Sequence, residues 1–367
     1  MAFEVDDNTY FKLFSDCIPV KGHTRSIICD LGRQNFDFIP NSLYFILKKY
    51  ADKSLKKIFD SFNNEEHSTL NEYFLYLYEK EYIFWCTKDE LKSFPDAELK
   101  FETPSIIDNS IVDVDYRSNH DWNKIISQLT ELGCSNLQIR IFDKHSFSYC
   151  YPVFDLLENS IITNVEILIP FSVQANESKF LSEFSNKYLR LSKLTVHSSP
   201  FNKNYTVANT LTNINLTTDV INSNKCCGIV NPAFFTVNMD FFAESLKYNT
   251  CLNKKISIDA CGYIKNCPSM AENYGHINTT SLNDVVSNPS FLAKWKITKD
   301  DIKICMDCEF RHICLDCRAF VEHPDDPFSK PLKCSYDPYS GEWIKNKSAI
   351  PEFAEVAEFY EFKNIVF

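Results

Sequence analysis

The chain has 367 residues, 44% hydrophobic and 14% aromatic, with only 7 glycines, the composition of an ordered globular protein with room for two or three domains. Its net charge is −11 and no Lys or Arg cluster stands out, which excludes the basic face that nucleic-acid binding needs. No run approaches the roughly 18 apolar residues of a membrane span. The opening MAFEVDDNTY has neither the basic nor the apolar part of a secretory signal, so a cytoplasmic protein without a membrane partner is expected.

Residues 1–100 open with three short apolar-rich runs, Lys12–Val20, Ser26–Asp30 and Asn35–Ile39. Lys21-Gly22-His23 and Leu31-Gly32-Arg33 read as the turns between them. Three helical stretches follow. Leu43, Ile46 and Leu47 share one face after Pro40. Leu55, Ile58, Phe59 and Phe62 stripe Ser54–Phe62. Leu70, Tyr73, Phe74, Leu77 and Tyr78 stripe Ser68–Glu79, with Ser68 and Thr69 as candidate caps. Tyr82–Cys86 reads as a further strand or wing. The order resembles the winged-helix element with which peptide-modifying enzymes grip a precursor's leader. The resemblance implies that the leader adds as a strand to Asn35–Ile39 and packs on the Ser68–Glu79 helix, by β-augmentation. A winged helix that only packs on the rest of the chain fits the same pattern.

Residues 101–248 alternate strand and helix. Strands are expected at Ile111–Tyr116, Asn136–Phe142, Asn164–Pro170, Lys193–His197 and Leu211–Thr217. Helices are expected at Asp121–Leu132 with Gly133 beyond its end, Pro152–Glu158, Glu177–Leu189 and Asp240–Tyr248. Such alternation implies βαβ units on a mainly parallel sheet, here a partial α/β barrel. Residues 346–367 read as a helical, aromatic tail docked on the body.

Residues 249–345 hold eight of the 15 cysteines: Cys251, Cys261, Cys267, Cys305, Cys308, Cys314, Cys317 and Cys334. In a reducing compartment, spaced cysteines are metal ligands more often than disulfides. Two sites of four thiolates use all eight. Cys305-Met-Asp-Cys308 and Cys314-Leu-Asp-Cys317 are chelating pairs only five residues apart, short of the roughly 15–20 of a zinc ribbon. On the residues alone, zinc and iron–sulfur ligation both remain open.

The spacing resembles the SPASM domain that follows the radical-SAM core of many peptide maturases. Cys251, ten residues, Gly262-x4-Cys267, a gap, Cys305-x2-Cys308-x5-Cys314-x2-Cys317, a gap and Cys334 follow that pattern. One spacing departs from it: two residues rather than three separate Cys314 from Cys317. The resemblance implies two [4Fe–4S] clusters. Cys305, Cys308, Cys314 and Cys334 would hold one. Cys317 would reach back to the other with Cys251, Cys261 and Cys267.

The C-x3-C-x2-C loop with which radical-SAM enzymes hold their S-adenosylmethionine cluster is absent. Where it is expected, after Ile111–Tyr116, the chain reads Arg117-Ser118-Asn119-His120-Asp121. Bound S-adenosylmethionine is therefore not expected. This combination resembles the SPASM-domain peptide maturase of grasp-with-spasm systems, encoded beside an ATP-grasp ligase and a small precursor peptide. That implies a part in maturing a ribosomally made peptide, with the precursor's leader and the ligase as partners, and leaves the catalytic residues unassigned. The alternatives are a peptide-modifying enzyme using a cluster with an open iron, and a zinc-stabilised scaffold without redox function. Cys226 and Cys227 read as buried small hydrophobes. His120 reads as a helix-start residue beside the Asp121 cap.

Overall fold

The computed structural model describes residues 3–143, 147–176, 178–345 and 351–362. The chain begins with strands β1 (Tyr10–Leu13), β2 (Cys17–Lys21), β3 (Ser26–Asp30) and β4 (Asn35–Ile39). Helices α1 (Asn41–Lys49), α2 (Leu55–Phe59) and α3 (His67–Glu79), strand β5 (Ile83–Cys86) and helix α4 (Lys88–Ser93) follow. β2, β3 and β4 form an antiparallel sheet in that order, with Cys29 opposite both Ile18 and Phe36. The run expected over Lys12–Val20 is two strands. The Phe14 amide donates to Tyr82 O (3.0 Å) and the Cys17 amide to Phe14 O (2.9 Å), which reverses the chain between them. β1 pairs instead with β5, so Tyr82–Cys86 contributes to a separate ribbon rather than to the three-stranded sheet.

The helices form where the apolar stripes place them, and Leu43, Ile46, Leu55, Ile58, Leu70, Phe74 and Leu77 share one core with Ile28 and Ile39. Tyr78, at the end of the expected stripe, is exposed. Ser54 caps α2 through the Lys57 amide (3.5 Å). Ser68 and Thr69 do not cap α3. Asn63 and Glu66 satisfy each other's backbone amides in a short turn before it, a capping box upstream of the expected start.

The second part runs β6 (Asn109–Val114), α5 (Trp122–Glu131), β7 (Asn136–Ile141), α6 (Cys150–Leu157), β8 (Asn164–Pro170), α7 (Ser178–Lys187) and β9 (Leu191–His197). It continues through β10 (Lys203–Thr206), β11 (Asn213–Leu216), α8 (Met239–Ser245), β12 (Lys255–Ile258) and β13 (Ile264–Lys265). The strands form one mostly parallel sheet in the order β10-β11-β9-β8-β7-β6-β12-β13, antiparallel only at its two edge strands. Helix α5 shows why the sequence reads clearly here. Asp121 accepts from the Lys124 amide (3.1 Å), and Ile125, Ile126 and Leu129 face the core. Gly133 sits at φ +81°, with the Gly133 amide donating to Thr130 O (3.1 Å) and the Cys134 amide to Leu129 O (3.0 Å), a Schellman close.

Side-chain alternation divides the sheet into unlike faces. Val112, Ile139, Ile167, Leu194, Ile214 and Ile256 lie in one core with residues of α5, α6 and α7. The opposite side chains are mostly polar, Asn109, Asp113, Asn136, Gln138, Arg140, Asn164, Glu166 and Lys255, with Ile111 and Leu168 among them. Parallel sheets are normally apolar on both faces. The polar face is therefore where the sheet meets something other than a helix layer.

The remaining chain has few regular elements: α9 (Leu282–Val286), α10 (Pro289–Ala293), β14 (Tyr336–Asp337), β15 (Glu342–Trp343) and α11 (Pro351–Phe359). It packs on the β2–β4 sheet, where Val20, Ile27, Cys29 and Leu31 join Phe310, Ile313 and Tyr336 in one core. Arg25 reaches across to Glu309 (2.9 Å) and the Tyr336 hydroxyl (3.3 Å). A Cβ at Gly22 would stand 2.8 Å from Glu309 Cβ, so only glycine admits this approach. Of the helical tail expected over 346–367, α11 docks Phe353 beside Phe320 and Leu332, and residues 346–350 and 363–367 lie outside the described residues. Among the described residues no helix is long and apolar enough to cross a membrane.

Candidate metal centres

Cys308, Cys314 and Cys334 lie in or against one core, and Cys305 feels the charge of Cys334 and acts on Cys308 and Cys314. Cys305 opens a single turn closed by the Cys308 amide on Cys305 O (2.9 Å). The residue before it, Ile304, sits at φ +68°, a strained setting for a β-branched side chain, and one that surrounding structure has to impose. Burial above all, opposed by Lys299 and aided by the charge of Cys334, brings the Cys305 thiol to about 11 and the Cys314 thiol to about 12. Cys308 is raised well above its ordinary value, first by burial and then by Cys314 and other nearby charges. The buried Lys299 ammonium stands 3.6 Å from Cys314 Sγ and 3.7 Å from Asp316 Oδ1.

A second group lies against the polar face of the large sheet. Cys251 precedes β12, Cys267 follows β13, and Cys317 arrives from the far side of the module. Burial raises Cys317 most, followed by the charges of Cys251, Cys227 and Cys267. Burial likewise takes Cys267 to about 11, with Cys251 and Cys227 raising it further and Arg140 opposing them. Lys255 Nζ stands 3.7 Å from Cys251 Sγ. Arg140 forks onto Asp113 at 2.7 and 2.9 Å in a buried pair, where burial raises the Asp113 carboxyl and Arg140 opposes that rise, and Arg140 feels the charges of Cys227 and Cys267.

By the charges they feel, seven of the eight expected cysteines sort into two sets, four in one and three in the other. Cys261 stands apart, exposed at the tip of the β12–β13 turn. Its amide donates to Asp259 Oδ1 (3.0 Å), and its carbonyl oxygen lies 2.9 Å from His276 Nε2. Gly262 beside it has φ +89°, and a Cβ there would meet His276 Nε2 at 2.6 Å, so the motif glycine serves the turn. The further thiol whose charge Cys251, Cys267 and Cys317 feel is Cys227. It is not the buried small hydrophobe expected from sequence but an exposed residue.

Among the described residues no three Cys, His, Asp or Glu side chains close on one point as a single metal ion requires. The two sets are defined by which sulfurs feel each other's charge. As donors they fit a thiolate-held group: soft sulfur ligands suit an iron–sulfur cluster or zinc, and Lys255, Arg140 and Lys299 offset the negative charge such a group carries. His312 serves neither set. Burial, with Arg311 adding, takes it down to about 4, and its Nδ1 stands 3.1 Å from Ser245 Oγ.

At the C-terminal end of β6 the side chains satisfy one another. Arg117 binds Asp115, Ser118 Oγ donates to Ala260 O (2.8 Å), and His120 Nε2 lies 2.8 Å from Asp113 O. Asp121 beside it caps α5. Cys17, Cys29, Cys86, Cys134 and Cys150 are buried, with burial the main cause raising each thiol.

No family model matches the chain, and no curated protein matches it. Among solved structures, Streptococcus suis SuiB bound to S-adenosylmethionine is 10% identical, with a TM-score of 0.36 over 88% of this chain and 98% of that one. A second structure of Streptococcus suis SuiB, also 10% identical, gives a TM-score of 0.30 over 84% and 96%. Likeness this loose carries no function across.

Proposed function

We propose that this chain is an accessory protein in the maturation of a ribosomally made peptide and holds two [4Fe–4S] clusters. Cys305, Cys308, Cys314 and Cys334 would hold one cluster, and the group around Cys251, Cys267 and Cys317 the other. The observation that carries this reading is the sorting of the cysteines into two sulfur sets, each with a lysine against a thiol. Bound clusters would supply electron transfer or Lewis-acid iron. The chain's own residues bury the ligands and place cations against them.

The N-terminal unit supports the partner half of the reading. β4 is an edge strand, and α3 lies against it: Tyr76 donates to Asp37 Oδ2 at 3.1 Å and Lys80 pairs with the same oxygen at 2.8 Å. An edge strand beside a helix is the receptor that β-augmentation uses, so the precursor's leader would add there, and an ATP-grasp ligase would act on the peptide so presented. SPASM module and winged-helix element are the names this reading gives to the cysteine region and to residues 10–86.

Metal and acid-labile sulfide per chain, measured on anaerobically purified protein, test the reading. About eight iron and eight sulfide with absorption near 400 nm is the expected result. Zinc without sulfide would overturn it in favour of a scaffold. Leader binding is tested by hydrogen exchange with the neighbouring gene's precursor peptide, which should slow the Asn35–Ile39 amides. A peptide that binds without slowing them would remove the β4 assignment.

A further inference from the structure

We propose that Cys227, and not Cys261, is the fourth sulfur ligand of the sheet-side group, supplied by the loop between β11 and α8. This rests on the metal-binding reading above and concerns which thiols complete it.

The loop is fastened beside Cys267 and Cys317, and to Lys333. Asn224 Nδ2 donates to the carbonyl of Pro268, next to Cys267, at 3.1 Å, and Ser269 Oγ donates back to Asn224 O at 3.1 Å. Gly228, next to Cys227, lies so close to Cys317 that a Cβ there would stand 2.8 Å from Cys317 Sγ. Its φ of +87° is one that only glycine adopts without strain. Lys333 Nζ donates to Cys227 O (2.8 Å) and to Lys225 O, and the Val230 amide donates to Lys333 O (3.2 Å). Four of these contacts involve a residue adjacent in sequence to Cys267 or Cys334, and one involves Cys317 itself.

Charge points the same way. Lys255 feels Cys251, Cys267 and Cys227, and Arg140 feels Cys227 and Cys267. Cys261 reaches a different cation, Arg117, at the other end of the hairpin. A β-hairpin keeps its base and tip apart, so a thiol at the tip cannot share a cluster with thiols at the base unless the chain folds back. Here His276 holds the tip in place.

Cys227 is exposed, whereas Cys267 is buried and Cys251 and Cys317 are partly buried. It is therefore the ligand on the solvent side. Loading the group would join the α/β part of the chain to the cysteine module through a sulfur–metal bond.

Full-length Cys227→Ala and Cys261→Ala proteins, reconstituted anaerobically with iron and sulfide, test this. The readouts are iron per chain after a chelator challenge and the electron paramagnetic resonance of the reduced protein. Cys227→Ala is expected to lose about half of the iron and to alter one of two signals, while Cys261→Ala matches the parent. Iodoacetamide labelling of the parent adds a readout independent of the variants' folding. Cys227 should label only after metal is stripped, and Cys261 in both states. Equal labelling of Cys227 before and after stripping, or loss of iron in Cys261→Ala instead, overturns the assignment. A protein that takes only zinc yet protects Cys227 sinks the cluster reading and upholds this ligand. A protein that takes no metal sinks both.

Discussion

Asp113→Asn would leave the Arg140 guanidinium buried without its anion. The pair lies on β6 and β7, which are adjacent and parallel, with Asp113 opposite Arg140 in register. Both bonds are short, 2.7 and 2.9 Å, and the side chains are only 1% and 7% exposed. Two unit charges about 4 Å apart interact by about 4 kcal/mol at an effective dielectric of 20. Breaking a buried pair by removing one partner typically costs 3–5 kcal/mol, roughly the same size. Hydrogen exchange of the β6 and β7 amides with the metal stripped is the assay, because it reads this sheet whether or not the whole chain unfolds in one step. Asp113→Asn should lower their protection by about 3–5 kcal/mol, and the double variant Asp113→Leu/Arg140→Met by much less, because no unpaired charge remains. With metal bound, the loss in Asp113→Asn should shrink, since Arg140 then faces the thiolates of Cys227 and Cys267. Loss below about 1 kcal/mol in the stripped Asp113→Asn protein would refute the view that this pair is desolvated and mutually dependent.

Other outcomes follow from the same geometry. Burial raises Glu244 to about 7, with Asn253 and Lys255 opposing it. An acid that holds its proton more tightly when folded stabilises below its unfolded value of 4.5 and loses that contribution as pH rises toward 7. Glu244→Gln keeps an acceptor for the Asn253 amide and should raise the melting temperature at pH 8 but not at pH 4, with a limit of about 3 kcal/mol. Thermal scans at the two pH values check this. Lys299→Met removes the cation 3.6 Å from Cys314 Sγ and should lower the reduction potential of a cluster on Cys305, Cys308, Cys314 and Cys334. Potentiometric titration should show a shift on the order of 100 mV, as one charge about 6 Å from the cluster gives at a dielectric of 20. Gly262→Ala puts a Cβ 2.6 Å from His276 Nε2 at φ +89°, and should cost about 1–2 kcal/mol of local stability, read by exchange in β12 and β13.

Local physics made much of the fold legible. The stretch from Asp121 to Gly133 carries its own cap, stripe and stop, so its helix is readable without the rest of the chain. Asn164–Pro170 is a strand with the bounds its alternation implies. β5 was legible as a strand, but its pairing with β1, and β1 as a strand apart from β2, were not, because that ladder forms across most of the N-terminal unit. β10 was missed for a related reason. Lys203–Thr206 is short and polar and is held by pairing with β11. β12 reads locally as part of the cysteine region, yet it extends the large sheet beside β6, with Lys255 opposite Asn109.

The sequence by itself determined the richness in thiols, the absence of a cysteine triad near β6, and the pairing of Cys305 with Cys308, because those facts depend on residue type and spacing along a few turns of chain. Only the tertiary structure decided which sulfurs meet. Cys251 and Cys261 are near in sequence, but a hairpin carries one to its base and the other to its tip. Cys227 belongs to the α/β part of the chain and reaches Cys317 only because Asn224, Gly228 and Lys333 hold its loop there. Spacing within a motif is set by bond geometry. Meeting across ninety residues is set by packing, and no local rule contains it.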